Sequence, residues 1–378
     1  MSIDFNCLNT PCYVVDEELL IRNLTLLKDI EKKTGCHILL AQKGFSMYSV
    51  YPLIGEYLSG VTSSSLFEAR LGYEEMGKEV HVYAPAYRDD EIDEILKYSD
   101  HIVFNSFNQW RKYKEKVKNY QSKNIQCGIR INPEYSEIET DIYNPCIKYS
   151  RLGTTLDKFN EEDLEGIDGL HFHTMCEQNS DTLERTIKVV EEKFGKYFNK
   201  LKWINFGGGH HITREDYDVE RLINCILYIK EKYNLDIYLE PGEAVALNTG
   251  YLVSTVLDII EDDNMSLVIM DTSAACHMPD VIEMPYRPFI LDSSEAFKKK
   301  FTYRLGGPTC LAGDIIGDYS FDKELKIGDK LVFTDMSHYS MVKNNTFNGI
   351  NLPDIVLWKN NEKKAIKKFG YDDFKRRL

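Results

Sequence analysis

Eight apolar, β-branched runs alternating with segments of helical pattern constrain the fold of this chain more than anything else in it. The runs occupy 37–43, 60–65, 80–85, 101–106, 126–133, 169–175, 203–209 and 236–243. Between them, segments such as 66–76 and 182–194 carry apolar residues at helical spacing with charges on the opposite face. This rhythm belongs to a parallel β/α architecture, and eight repeats of it predict an α/β protein built on a (β/α)8 TIM-like barrel. After residue 243 the pattern changes to strands without regular helices, at 251–260, 266–273, 301–310 and 330–337. The expected organisation is a barrel over 37–245, a β-rich domain, sandwich or barrel-like, over 246–378, and an N-terminal segment 1–36 that partly joins the β domain.

With 43% hydrophobic and 12% aromatic residues, 378 residues are enough to bury a sizeable core. Acidic residues outnumber basic ones by 60 to 46, and the net charge of -14 disfavours nucleic acid or an anionic membrane as partner and mildly favours a cationic one. The basic, aromatic stretch 363–378 therefore reads as a solvated terminal helix or tail. No apolar run reaches the length of a membrane span and no leader pattern opens the chain, so a cytoplasmic protein is expected. Nine cysteines without a CxxC pair are expected to be reduced.

Active sites of β/α barrels lie at the C-terminal ends of the strands, with phosphate commonly held by the loops after strands seven and eight. Lys43 ends the first apolar run, where burial lowers an amine's pKa and frees it for a carbonyl; a solvated strand-end lysine is the plain alternative. The seventh run ends in Gly207, Gly208 and Gly209, which would admit a phosphate to the backbone or simply make a tight turn. The eighth closes with Glu240-Pro-Gly-Glu243, where Glu240 is a carboxylate suited to a pyridinium nitrogen or to an ion pair, and Glu243 suits an amine better than a phosphate. Asp280 has an alternative as a turn residue after Pro279. The His171/His173 and His210/His211 pairs would suit a metal hydrolase, but that reading leaves the lysine and the glycines unexplained, and no metal is expected.

Lys43, His171-Phe-His173, Gly207 to Gly209, Glu240-Pro-Gly242 and Gly307-Pro-Thr-Cys310 together resemble the barrel-fold (fold type III) pyridoxal phosphate decarboxylases. Ala41 to Phe45, Phe206 to Thr213, Glu240 to Ala244, Asp271 to Ser273 with His277 to Asp280, Thr309 to Asp314 and Thr346 to Gly349 resemble in particular the carboxynorspermidine and carboxyspermidine decarboxylases. Glu243 stands where ornithine and diaminopimelate decarboxylases usually have arginine, and Leu311 where they often have an acid; both differences speak against those substrates.

The resemblance implies pyridoxal 5'-phosphate as cofactor, bound covalently by Lys43, stacked on by His173, held at its phosphate by Gly207 to Gly209 and Tyr339, and paired at its ring nitrogen with Glu240. It also implies a homodimer with shared active sites, in which Cys310 protonates the carbon that loses CO2 and Asp314 meets a substrate amine from the partner subunit. A cationic carboxylated polyamine would be the substrate, with Glu243, Asp280 and, behind them, Asp271 as its carboxylate partners. The alternatives are another basic amino-acid decarboxylase, of diaminopimelate or ornithine type, and a non-catalytic regulatory homologue. A racemase is disfavoured by Glu240, because racemases of this fold usually place an arginine at the ring nitrogen.

Overall fold

The computed structural model describes residues 3–378, which divide into two compact units, 23–245 and 3–22 with 246–378. In the first unit eight strands close into a parallel barrel: β2 (His37–Ala41), β3 (Gly60–Ser63), β4 (Glu79–Tyr83), β5 (His101–Phe104), β6 (Gln126–Arg130), β7 (Gly169–His171), β8 (Trp203–Asn205) and β9 (Asp236–Leu239). Closure is made by β9 against β2, with His37 opposite Tyr238 and Ile38 opposite Leu239. The number and order of the runs are as expected. Each strand stops two to four residues short of its run, because the polar and glycine residues at its end leave the ladder to form the loops of the C-terminal mouth.

The helices follow their sequence signals. Leu66–Glu75 starts at Ser65, whose hydroxyl accepts from the Glu68 N–H, and Ser180–Phe198 starts at Asn179 and buries Leu183, Ile187, Val190 and Phe194 on one face. After β6, the connection through residue 168 carries only 3-10 turns, at Asp141–Tyr143, Leu156–Lys158 and Glu161–Leu164. Arg151 lies in that connection.

Inside the barrel, the Trp203 ring fills the space left by Gly128 and Gly169. A Cβ at either glycine would come within 2.4 and 2.0 Å of that ring. At the N-terminal strand ends His81 and His101 stack at 3.9 Å, and both place Nε2 near Glu79 Oε1, at 3.0 and 3.1 Å. Near-parallel rings converge poorly on a metal ion but donate well to one carboxylate oxygen, so this layer reads as a polar plug.

The second unit is β-rich, as expected, and its strands join in one nine-stranded mixed sheet. Its order is β12 (Ser293–Glu295), β14 (Ile315–Phe321), β13 (Phe301–Gly306), β11 (Ser266–Met270), β10 (Gly250–Ile260), β1 (Cys12–Asp16), β16 (Asp354–Lys359) and β17 (Glu362–Lys367), with β15 (Lys330–Thr334) also paired to β10. The chain's first strand, β1, lies between β10 and β16, antiparallel to one and parallel to the other. The basic C-terminal stretch is corrected here. It opens in β17, a lysine-rich edge strand joined to β16 by Asn360-Asn361, both with positive φ, and ends in the short helix Tyr371–Lys375. No described helix is long and apolar enough to cross a membrane.

Candidate active site

The turn after β2 carries Lys43. Its frame is tied to three places: the Ala41 N–H donates to the Pro241 carbonyl, the Gln42 N–H to the Thr62 carbonyl, and the Gly44 N–H back to Ala41. Gln42, fully buried, donates from Nε2 to Ser63 and to the Glu68 carbonyl, and accepts from the Tyr51 hydroxyl. A Cβ on Gly44 would press to 3.0 Å on the backbone of Gly242, so the lysine turn and the loop after β9 touch directly. By surface area the Lys43 side chain is exposed, since water reaches it along the barrel mouth, yet protein packs densely around its amine. The packing governs its charge. Burial first and the Arg130 cation second pull its pKa below the usual lysine value, against Glu240, Cys176 and Glu68, which raise it.

Glu240 follows β9 and receives the Asn205 side-chain amide at 2.7 Å, with His171 at 3.3 Å from its other oxygen. Burial alone would raise its pKa, but His171, His81 and Asn205 hold it down at about 2, so it is an anion at neutral pH. His173, half-buried, is kept neutral by burial and by the Lys43 and Arg130 charges. Its Nδ1 accepts from the Gly208 N–H at 2.8 Å, which puts the ring proton on Nε2. Cys176 is pushed up to about 11 by burial and stays a thiol.

The three glycines are needed for a reason the sequence did not give. A Cβ at Gly207, Gly208 or Gly209 would lie 2.4, 2.4 and 2.0 Å from the carbonyls of Phe172, Glu240 and Met175, and Gly207 and Gly209 have φ of +70° and +82°. The N–H groups of Gly207 and Gly208 are spent on Asn205 Oδ1 and His173 Nδ1, both at 2.8 Å. Close backbone approach, more than a row of free N–H groups, dictates this sequence.

Glu243 stands 3.4 Å from His211 Nε2. Three carboxylates of the second unit have partners already. Asp280 is ion-paired with Lys343, which also reaches Glu283 at 2.6 Å, and Asp271 accepts from Ser254 Oγ and the Thr255 N–H at 2.7 and 2.8 Å. Asp314, expected to meet a substrate amine, is also partnered. It is buried, and its oxygens accept from Ser273 Oγ, the Ala275 N–H, and the N–H and hydroxyl of Thr309. Cys310 is exposed, beside exposed Leu311. Tyr339 precedes the short helix Ser340–Lys343 with φ +37°.

Sequence reasoning missed Arg130, Glu68 and Asn205. Arg130 ends β6, is 5% exposed, lies over the Tyr83 ring at 4.6 Å and donates to the His173 carbonyl. The signal was available: it is a cation within an apolar run.

These residues fit pyridoxal phosphate. An amine of depressed pKa suits a covalent link to an aldehyde, a carboxylate held ionised suits a protonated ring nitrogen, and a neutral imidazole beside the glycine turn suits ring stacking. The family model described as pyridoxal-dependent decarboxylase, C-terminal sheet domain, matches residues 12–337. A carboxynorspermidine/carboxyspermidine decarboxylase of Campylobacter jejuni is 47% identical, over 97% of this chain and 98% of that protein. A carboxyaminopropylagmatine decarboxylase of Synechocystis is 43% identical, over 98% and 96%. The crystal structure of carboxynorspermidine decarboxylase complexed with norspermidine, from Campylobacter jejuni, superposes with a TM-score of 0.91 at 45% identity, covering 98% of this chain and 100% of that one. With a barrel that gathers this lysine, carboxylate and imidazole, and with likeness along its whole length, the chain belongs to the pyridoxal-dependent decarboxylases and is a pyridoxal phosphate-dependent carboxy-lyase.

Proposed function

We propose that the enzyme decarboxylates a carboxylated triamine, carboxynorspermidine or carboxyspermidine, releasing norspermidine or spermidine. The observation that carries this reading is full-length likeness to proteins named for that substrate pair. Glu243 supports it, since an acid after Glu240-Pro-Gly242 suits a polycation where arginine would repel one. When bound, the cofactor supplies the electron sink into which the pair left by departing CO2 is delocalised.

The chain's own residues do the rest. Lys43 would hold the cofactor and, with its lowered pKa, would yield it to the substrate amine. Glu240, ionised, keeps the ring nitrogen protonated and so deepens the sink. His173 would pack on the ring, Gly207 to Gly209 and Tyr339 would serve the phosphate, and Cys310 would return a proton to the carbon that has lost CO2. Glu243 is the foremost partner for the distal amines. Asp280 would serve only by leaving Lys343, and Asp271 acts from behind as a brace. We place the working enzyme in the cytoplasm as a homodimer whose sites are completed by the partner subunit.

The Synechocystis relative supports a second reading, in which the distal group is the guanidinium of carboxyaminopropylagmatine. Turnover of the cofactor-loaded protein on the three carboxylated polyamines, ornithine and diaminopimelate, with products identified by mass spectrometry, tests both. Release of norspermidine or spermidine is expected. Exclusive turnover of the guanidino substrate would select the second reading, and activity only on ornithine or diaminopimelate would overturn both.

A further inference from the structure

The bonds around Cys310 form a closed circuit within the mixed-sheet unit. On one side Thr309 is bound through its N–H and hydroxyl to Asp314 Oδ2, and Asp314 in turn takes the Ser273 hydroxyl at 2.9 Å and the Ala275 N–H at 3.2 Å. On the other side the Cys310 N–H donates to Asn348 Oδ1 at 2.8 Å, from an Asn348 held at φ +57°. His277 joins the two sides. It is fully buried, its Nδ1 accepts from the Ser273 N–H at 3.2 Å, and its Nε2 therefore carries the proton and donates to the Asn351 carbonyl at 3.0 Å. The circuit runs by hydrogen bond from Cys310 to Asn348, along the chain itself from 348 to 351, by hydrogen bond to His277, then through Ser273 and Asp314 back to Thr309. A Cβ on Gly307 would come within 2.3 Å of Asp314 Oδ2, so the loop before Cys310 is drawn tightly over this carboxylate.

We propose that Asp314, Asn348 and His277 are positioning residues that fix the backbone from which the Cys310 thiol acts, and that Asp314 serves the reaction through Cys310 rather than by binding a substrate amine. A carboxylate with every oxygen committed inside the fold has no free lone pair aimed at a ligand, whereas a donor thiol on an exposed loop needs its backbone held to a fraction of an ångström. The inference rests on the reading of Cys310 as the proton donor.

The test uses the full-length holoenzyme with Asp314→Asn, Asn348→Ala and His277→Gln, each checked for folding by circular dichroism. Two quantities are read: kcat and KM on carboxynorspermidine, and the rate of Cys310 alkylation by iodoacetamide relative to exposed Cys7 in the same molecule, by peptide mass spectrometry. The expected result is a fall in kcat of about tenfold or more with KM within about twofold, and a changed Cys310 to Cys7 ratio. A raised KM with kcat and the ratio unchanged in Asp314→Asn would make Asp314 a substrate ligand and overturn the proposal. Unchanged kcat and ratio in all three variants would also overturn it. If Asp314→Asn fails to fold, the other two variants, each removing one link, still decide. Cys310→Ala separates the readings: near-normal kcat there sinks the proton-donor role itself, while the alkylation ratio in the other three variants still reports whether the circuit holds the loop.

Discussion

At the level of single residues, the site works by setting charges. Glu240 is buried yet ionised because an imidazole and an amide face its two oxygens, so replacing it with alanine should slow decarboxylation by orders of magnitude while the cofactor still binds. Steady-state kinetics with cofactor absorbance checks this, and near-normal turnover would remove Glu240 from the mechanism. Gly209→Ala should reduce stability and cofactor occupancy together, since the new Cβ meets the Met175 carbonyl and the φ of +82° disfavours any side chain; a cost of roughly 1–3 kcal/mol or more is expected in a urea titration. Lys43, Glu240 and the glycines were legible in the sequence because each ends an apolar run, and a strand's end is a local property. The fate of the glycine N–H groups was not, because Asn205 and His173 reach them from other strands.

At the level of elements, Trp203 on β8 packs over glycines of β6 and β7 and so sets how closely those strands approach. Trp203→Ala should cost about 3–5 kcal/mol, seen as a lower urea midpoint at unchanged m-value. The strands themselves were readable from apolar runs with glycine and polar ends. β12 and β17 were not, since short or lysine-rich edge strands carry half-polar surfaces that look like loop or tail, and β14 and β16, inside the sheet, were missed as well. The pair Asn360-Asn361, a recognised hairpin turn, was the one signal for β16 and β17.

At the level of the whole molecule, two bulk properties follow from charge. A net charge of -14 should attract a polycationic substrate, so kcat/KM on carboxynorspermidine should fall as NaCl rises while kcat changes little; no salt dependence would remove this steering. His277 and His210 are each pulled by burial down to about 4, so between pH 6.5 and 4 the unfolded chain binds protons that the folded chain refuses. Stability should therefore fall as pH drops through that window, by about 1.4 kcal/mol per pH unit for each histidine, and His277→Gln should flatten the slope by one proton in chemical denaturation at pH 7 and 5. The sequence by itself determined the barrel, its lysine and its carboxylate, because hydrophobic period and strand-end chemistry are written in consecutive residues. Only the tertiary structure decided that Arg130 faces Lys43, that Asp314 is spent inside the fold and that Cys310 is held by Asn348. Those facts depend on which distant groups meet once the strands close, and no spacing along the chain encodes that meeting.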